Sequence, residues 1–211
     1  MIRLKVWGNY AAFNRPELKV ERFTYDVMTP SAARNILQSI YWHPCFDYVV
    51  DKIYIMKPIQ KTSLKRNELK DKLDYKDIKE SALKTNQPTY LPIRQTQRNA
   101  VILKDVEYII EAHFVQKEND PAFDSNKIYA IFCKRAKSGK CFKMPFLGSR
   151  EYSCFFELVD NNEIIKPEDI NLDLGIMLYD IYFNAGTMKP YFFKSSVNNG
   201  ILDLTNVEVL S

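Results

Sequence analysis

Thr29-Pro30-Ser31-Ala32-Ala33-Arg34-Asn35-Ile36-Leu37-Gln38-Ser39-Ile40-Tyr41-Trp42 is the stretch from which the rest of the chain can be read. Thr29 can accept a hydrogen bond from a free backbone N–H, and Pro30 sits where its missing donor costs nothing. Ala32, Ala33, Ile36, Leu37 and Ile40 recur at helical spacing until Pro44 biases the residue before it away from helix. The expectation is an amphipathic helix over 30–42 with Tyr41 in its last turn. Taken alone, these residues leave Tyr41 open between an ordinary core aromatic at a helix end and a phenol with a chemical task.

Upstream, Ile2, Leu4 and Val6 alternate with Arg3, Lys5 and Trp7, the period of a half-buried strand. Downstream, 46–59 is rich in β-branched and aromatic residues and reads as a strand closed at Pro58. Residues 61–86 are dominated by charge, with Leu64, Leu69, Leu73 and Ile78 as a sparse apolar stripe, and read as an exposed insertion. A strand pair at 89–95 and 98–103 follows, then a strand at 105–117 broken by Asp120-Pro121. Asp124 or Ser125 can cap a second helix, 126–138, whose Ile128, Ile131, Phe132 and Ala136 share a face, with Gly139 as its C-terminal cap. A loop then leads into a strand at 152–158.

Strand, helix, strand, strand, helix, strand is an α+β, ferredoxin-like (RRM-like) β-α-β-β-α-β order. The expected division is a body over 1–158, with an insertion carrying a strand pair at 61–103, and a small β appendage over 159–211. Two helices on one face leave the other face of such a sheet free, the arrangement RNA-recognition modules use.

Charge divides the same way. Residues 1–156 hold 27 Lys and Arg against 17 Asp and Glu, whereas 157–211 hold 3 against 9. A basic body suited to a polyanion is therefore joined to an acidic segment. Within that segment, Met177-Leu178-Tyr179 and Tyr191-Phe192-Phe193 read as core of the appendage or as a docking face. With 46% hydrophobic residues, 13 Tyr and 13 Phe, disorder is not the expectation. No apolar run approaches the roughly 20 residues that span a bilayer, so no membrane partner is expected and the cytoplasm is the expected location. Cys45, Cys133, Cys141 and Cys154 show no C-x-x-C pair or compact zinc spacing and read as reduced.

Several short pieces carry a resemblance in order: Trp7-Gly8-Asn9-Tyr10-Ala11-Ala12-Phe13, Tyr25-Asp26-Val27, Thr29-Pro30-Ser31-Ala32-Ala33, Ile40-Tyr41-Trp42, Met56-Lys57-Pro58-Ile59, Gln97-Arg98-Asn99, and Phe146-Leu147-Gly148-Ser149-Arg150-Glu151. The series resembles the fifth family of CRISPR-associated proteins, in its subtype I-C branch. That resemblance implies a ferredoxin-like core, metal-independent cleavage of CRISPR repeat RNA with no cofactor, and retention on the 5′ handle with other subunits of the interference complex.

The resemblance assigns chemical roles to a Tyr, a Lys and a His, which fall at Tyr41, Lys127 and position 128. The last is Ile128 here. Phenols and ammonium groups ordinarily titrate near 10 and imidazole near about 6.5, so the imidazole is the natural proton acceptor at neutral pH. His43, close to Tyr41, is the expected stand-in, and His113, in a strand, reads as structural.

Two RNA-binding segments are expected. Residues 127–150 carry Lys127, Lys134, Arg135, Lys137, Lys140, Lys143 and Arg150 with no acidic residue, a run able to neutralise phosphates. Tyr10, Phe13, Arg15, Lys19 and Arg22 mix rings that can stack on bases with cations that hold the backbone. Two alternatives stay open. One is a non-catalytic subunit that caps a guide RNA cut elsewhere; the other is a binder that also takes duplex DNA, since a basic run reads phosphate and not sequence.

Overall fold

The computed structural model describes all residues except 19, 71, 73, 85–93, 118–122, 161, 185–186 and 211, and gives backbone alone for 77, 84, 183 and 184. Its elements are β1 (Ile2–Ala11), β2 (Arg22–Phe23), α1 (Pro30–Ile40), β3 (Phe46–Ile55), β4 (Lys61–Leu69), α2 (Tyr75–Lys84), β5 (Gln95–Gln116), α3 (Ser125–Lys137), β6 (Phe155–Leu158), β7 (Leu172–Asn184), β8 (Thr187–Asn198), β9 (Ile201–Asp203) and β10 (Val209–Leu210). The protein is a mixed α/β fold with few helices on a largely antiparallel sheet. The strands run β10-β8-β9-β3-β5-β1-β6, with β2 and β4 on β5 and β7 on β8.

Alternation in β1 does what its period predicts. Ile2, Leu4 and Val6 lie opposite Ala112, Ile110 and Tyr108 of β5 and share one core with the apolar faces of α1 and α3. Both helices begin at the anticipated caps. Thr29 Oγ1 accepts from the Ala32 N–H at 3.3 Å, and the Asp124 carboxylate accepts from Asn126 N–H and Lys127 N–H at 3.0 and 3.1 Å. Helix α3 ends in a Schellman pair: Gly139 N–H donates to Ala136 C=O and Lys140 N–H to Arg135 C=O, with Gly139 at φ +63°.

Four expectations need correction. First, α1 closes at Ile40, so Tyr41 is not in the last turn; it is the extended residue after it, at φ −148°. Second, the strand pair expected at 89–95 and 98–103 is formed by other residues: Lys61–Leu69 is β4, paired with Gln95–Leu103 of β5. The anticipated partner at 89–93 lies outside the described residues, as do Asp120 and Pro121. Third, 98–103 and 105–117 are one strand, because Asp105 takes a left-handed conformation, φ +49°, without ending the ladder.

Fourth, the face of the sheet away from the helices is not free. Arg3 and Lys5 are held by Glu111 and Glu107 at 2.8 and 3.0 Å, and Val159 packs there on Tyr54 and Ile109. Neutralised and covered, it offers phosphates little.

Strands in 159–211 join the sheet through β9 on β3, and Met177, Leu178 and Phe193 are buried in the main core. Asn199-Gly200 makes the turn between β8 and β9. Among the described residues no helix is long and apolar enough to cross a membrane, and no disulfide joins any of the four cysteines. Burial pushes the Cys154 thiol up to about 12.

Candidate active site and nucleic-acid interface

Tyr41 is held by its backbone. Its N–H donates to Leu37 C=O at 3.2 Å, and its C=O accepts from the Tyr48 hydroxyl at 2.6 Å. Burial pushes the Tyr48 hydroxyl well above the usual phenol range, which keeps it a donor. The Tyr41 ring leans on Phe46, centroids 5.8 Å apart, and the Arg135 guanidinium carbon lies 5.8 Å from its centre. Its own hydroxyl makes no hydrogen bond among the described residues, so it is available to a ligand.

Arg135 is the less expected member. It is half-buried on α3, its Nε is buried with no hydrogen-bond partner, and among the described residues it makes no ion pair. A buried donor left unpaired carries a desolvation cost of about 1–3 kcal/mol. The loop after α3 returns to the same place, with Phe142 N–H and Lys143 N–H both donating to Ser39 C=O, at 2.7 and 3.1 Å. Lys143 Nζ sits 5.3 Å from the Phe146 ring centre. Lys134, Lys137, Lys140 and Arg150 are exposed around this loop.

The other named residues divide. Lys127 is exposed in the first turn of α3, two turns ahead of Arg135 and about 12 Å from it along the axis, and no hydrogen bond joins it to Tyr41. Ile128 is 4% exposed and belongs to the core, so that position faces inward. His43 turns to Cys45, whose N–H donates to its Nδ1 at 3.3 Å, and it makes no hydrogen bond to Tyr41. His113 pairs with both oxygens of Asp51, at 3.0 and 2.9 Å.

The second RNA-binding segment does not survive as a free cationic surface. Phe13 is 3% exposed and meets Tyr108 edge-on, which removes it from any stacking role. Arg15 lies 4.4 Å over the Tyr25 ring and near Glu17 and Asp26; Arg22 is paired with Glu68 and Glu151. Arg66 also holds Glu151, and that contact keeps its carboxyl below the usual carboxylate range. Tyr10 stays partly exposed, tilted on Tyr152 at 6.3 Å, and Lys19 lies outside the described residues.

The reading from sequence missed Trp42, Phe142 and Met144, which are 53%, 83% and 66% exposed, the first next to Tyr41 in the chain and the other two on the loop that carries Lys140 and Lys143. Their signal was an aromatic just past a helix end and another between two lysines, visible only once the loop is known to return to Ser39.

An antiparallel α/β body thus presents cations and exposed aromatic rings on one face, groups able to pair with phosphates and stack on flat ligands. The chain belongs to the CRISPR-associated protein family Cas5, in its Cas5d group, whose family description matches residues 1–200. It is 43% identical to the CRISPR pre-crRNA endoribonuclease Cas5d of Mannheimia succiniciproducens, covering 96% of this chain and 94% of the relative. It is 38% identical to the protein of the same name from Thermus thermophilus, covering 90% and 76%. A solved CRISPR-associated protein superposes with a TM-score of 0.70 at 22% identity, covering 100% of this chain and 96% of that one, which supports the fold.

Proposed function

We propose that this protein is an endoribonuclease that cuts the repeat of CRISPR precursor RNA without a metal, then stays on the 5′ handle as a subunit of the interference complex. The observation that carries it is the unpartnered Tyr41 hydroxyl at the end of α1, set against Arg135 and a segment, 127–150, with no acidic residue. The relatives' name, pre-crRNA endoribonuclease, supports the same substrate. The strand order β6-β1-β5-β3, with α1 and α3 on one face, supports a ferredoxin-like core. In this reading residues 1–158 form the RNA-handling body and 159–211 its acidic extension.

Cleavage proceeds by attack of the 2′-oxygen on the adjacent phosphorus, giving a 2′,3′-cyclic phosphate and a 5′-hydroxyl. Three tasks follow: the 2′-proton must leave, the pentavalent phosphate needs cations, and the 5′-oxygen needs a proton. Tyr41 supplies an O–H donor for the departing 5′-oxygen, and Lys127 contributes positive charge. Ile128 takes no part and neither imidazole is hydrogen-bonded to Tyr41, His43 being turned to Cys45 and His113 to Asp51, so in this reading the 2′-proton passes to water and the reaction is slower than an imidazole-assisted one.

Repeat hairpin incubated with the protein in EDTA should yield product ending in a cyclic phosphate. An uncut hairpin that remains bound would replace this reading with that of a non-catalytic capping subunit. Affinity should fall about a hundredfold or more between about 50 and about 200 mM salt, as expected when several phosphates are neutralised on a single strand. Affinity that ignores salt would remove the phosphate-contact account.

A further inference from the structure

We propose that the end of α1 and the loop 140–144 form a nucleotide clamp, in which Trp42 and Phe142 take an unpaired base while Arg135 and Lys143 hold its phosphate beside Tyr41. The inference rests on the RNA-cleaving reading above and deepens it by naming where the strand is gripped.

Three observations converge. The two rings are large, exposed and, among the described residues, paired with no other ring, although many of the chain's aromatics pack edge-on or tilted against one another. Scattered exposed apolar side chains need no explanation, but the double donation of Phe142 N–H and Lys143 N–H to Ser39 C=O seats the loop that carries Phe142 and Met144 on the last turn of α1, three residues before Trp42. That anchor fixes the loop on the last turn of α1, so the rings stand on a rigid support.

Charge then selects the occupant. The surrounding cations carry no acidic neighbour in sequence from 127 to 150, and Arg135 Nε is a buried donor that no described residue satisfies. An apolar face meant for a protein subunit would leave that donor and these lysines uncompensated. A nucleotide answers both needs, since its base presents a π-face to the rings and its phosphate accepts from the guanidinium. Duplex would not fit, because a base inside a stack offers no free face.

The test uses full-length protein and repeat RNA carrying a 2′-deoxy substitution at the cut, which removes the attacking hydroxyl. 2-Aminopurine is placed singly at successive unpaired nucleotides. At one position its fluorescence should be quenched on binding, and Trp42→Ala and Phe142→Ala should each restore it and weaken affinity by about 5- to 150-fold. Trp42→Phe should keep most of the quenching, whereas Trp42→Leu, equally apolar, should not. Wild type that cuts native repeat RNA but quenches at no position overturns the clamp and leaves the nuclease reading intact. Quenching without cutting supports the clamp and removes the nuclease reading. Variants that bind RNA like wild type yet fail to join the other subunits overturn it in favour of a protein partner.

Discussion

Tyr41→Phe is expected to slow cleavage of repeat RNA by about 10²- to 10⁴-fold, the range for loss of one positioned proton donor, while leaving affinity and stability near wild type. The reason lies in how the residue is held. Its backbone bonds to Leu37 and Tyr48 do not involve the side chain, and its ring contacts with Phe46 and Arg135 are kept by phenylalanine. Only the hydroxyl is removed, and that group has no hydrogen-bond partner among the described residues. Single-turnover cleavage alongside RNA binding separates the outcomes: a lower rate at unchanged affinity assigns the hydroxyl to the transition state. Equal cutting by the two proteins would return Tyr41 to an ordinary place at the core edge.

The same geometry ranks the cations. Lys127, the lysine the family pattern singles out, is exposed and lies about two turns from the helix position that touches Tyr41. Arg135 is already at the ring, partly desolvated and with a spare donor. A guanidinium in that condition interacts more strongly with phosphate than a solvated ammonium, since water competes less for it.

What could be read from the residues was what short-range physics decides. Helices α1 and α3 were legible because cap, period and stop lie within a few positions of one another: Thr29-Pro30 and Pro44 for one, Asp124 and Gly139 for the other. Strand β1 was legible from its alternation. Strand β4 was not, because its half-buried positions are Thr62, Leu64, Arg66 and Glu68, whose partners on β5 stand 28 to 40 residues away. The extra length of β5 was hidden by Lys104-Asp105, which resembles a turn but leaves the ladder unbroken.

At the site the division was similar. Tyr41 and the cationic run were visible, whereas the neutralisation of Arg22 by Glu68 and Glu151 depends on chain segments far apart in sequence. Phe13 was misjudged because the chain turns inward after β1 and buries it against Tyr108. Exposed stacking residues cannot be told from core residues by type; Trp42 and Phe142 differ from Phe13 only in where the backbone carries them.

Gly148→Ala is expected to destabilise the protein by more than about 3 kcal/mol, a large part of the roughly 5–15 kcal/mol that holds a typical domain together. Gly148 has φ +81°, a conformation that costs an alanine about 1–2 kcal/mol by itself. The greater difficulty is space. A Cβ there would lie 2.0 Å from Ala12 O and 2.6 Å from Ala12 C, and backbone cannot swing aside as a side chain tip can. Relief requires the loop to leave β1, which breaks the 3.0 Å bond from Ala12 N–H to Leu147 C=O and draws the fully buried Leu147 out of the core. Gly139 is the control: its φ is +63°, but nothing lies within 4 Å of the added carbon, so Gly139→Ala should cost only about 1 kcal/mol. For a chain of this size the two variants should melt about 6–12 °C and about 2–4 °C below wild type. Equal melting points for both would show that the close approach of the 146–150 loop to Ala12 contributes nothing. The folded fraction of Gly148→Ala should also bind RNA more weakly, because the loop that moves carries Arg150 and adjoins Lys143.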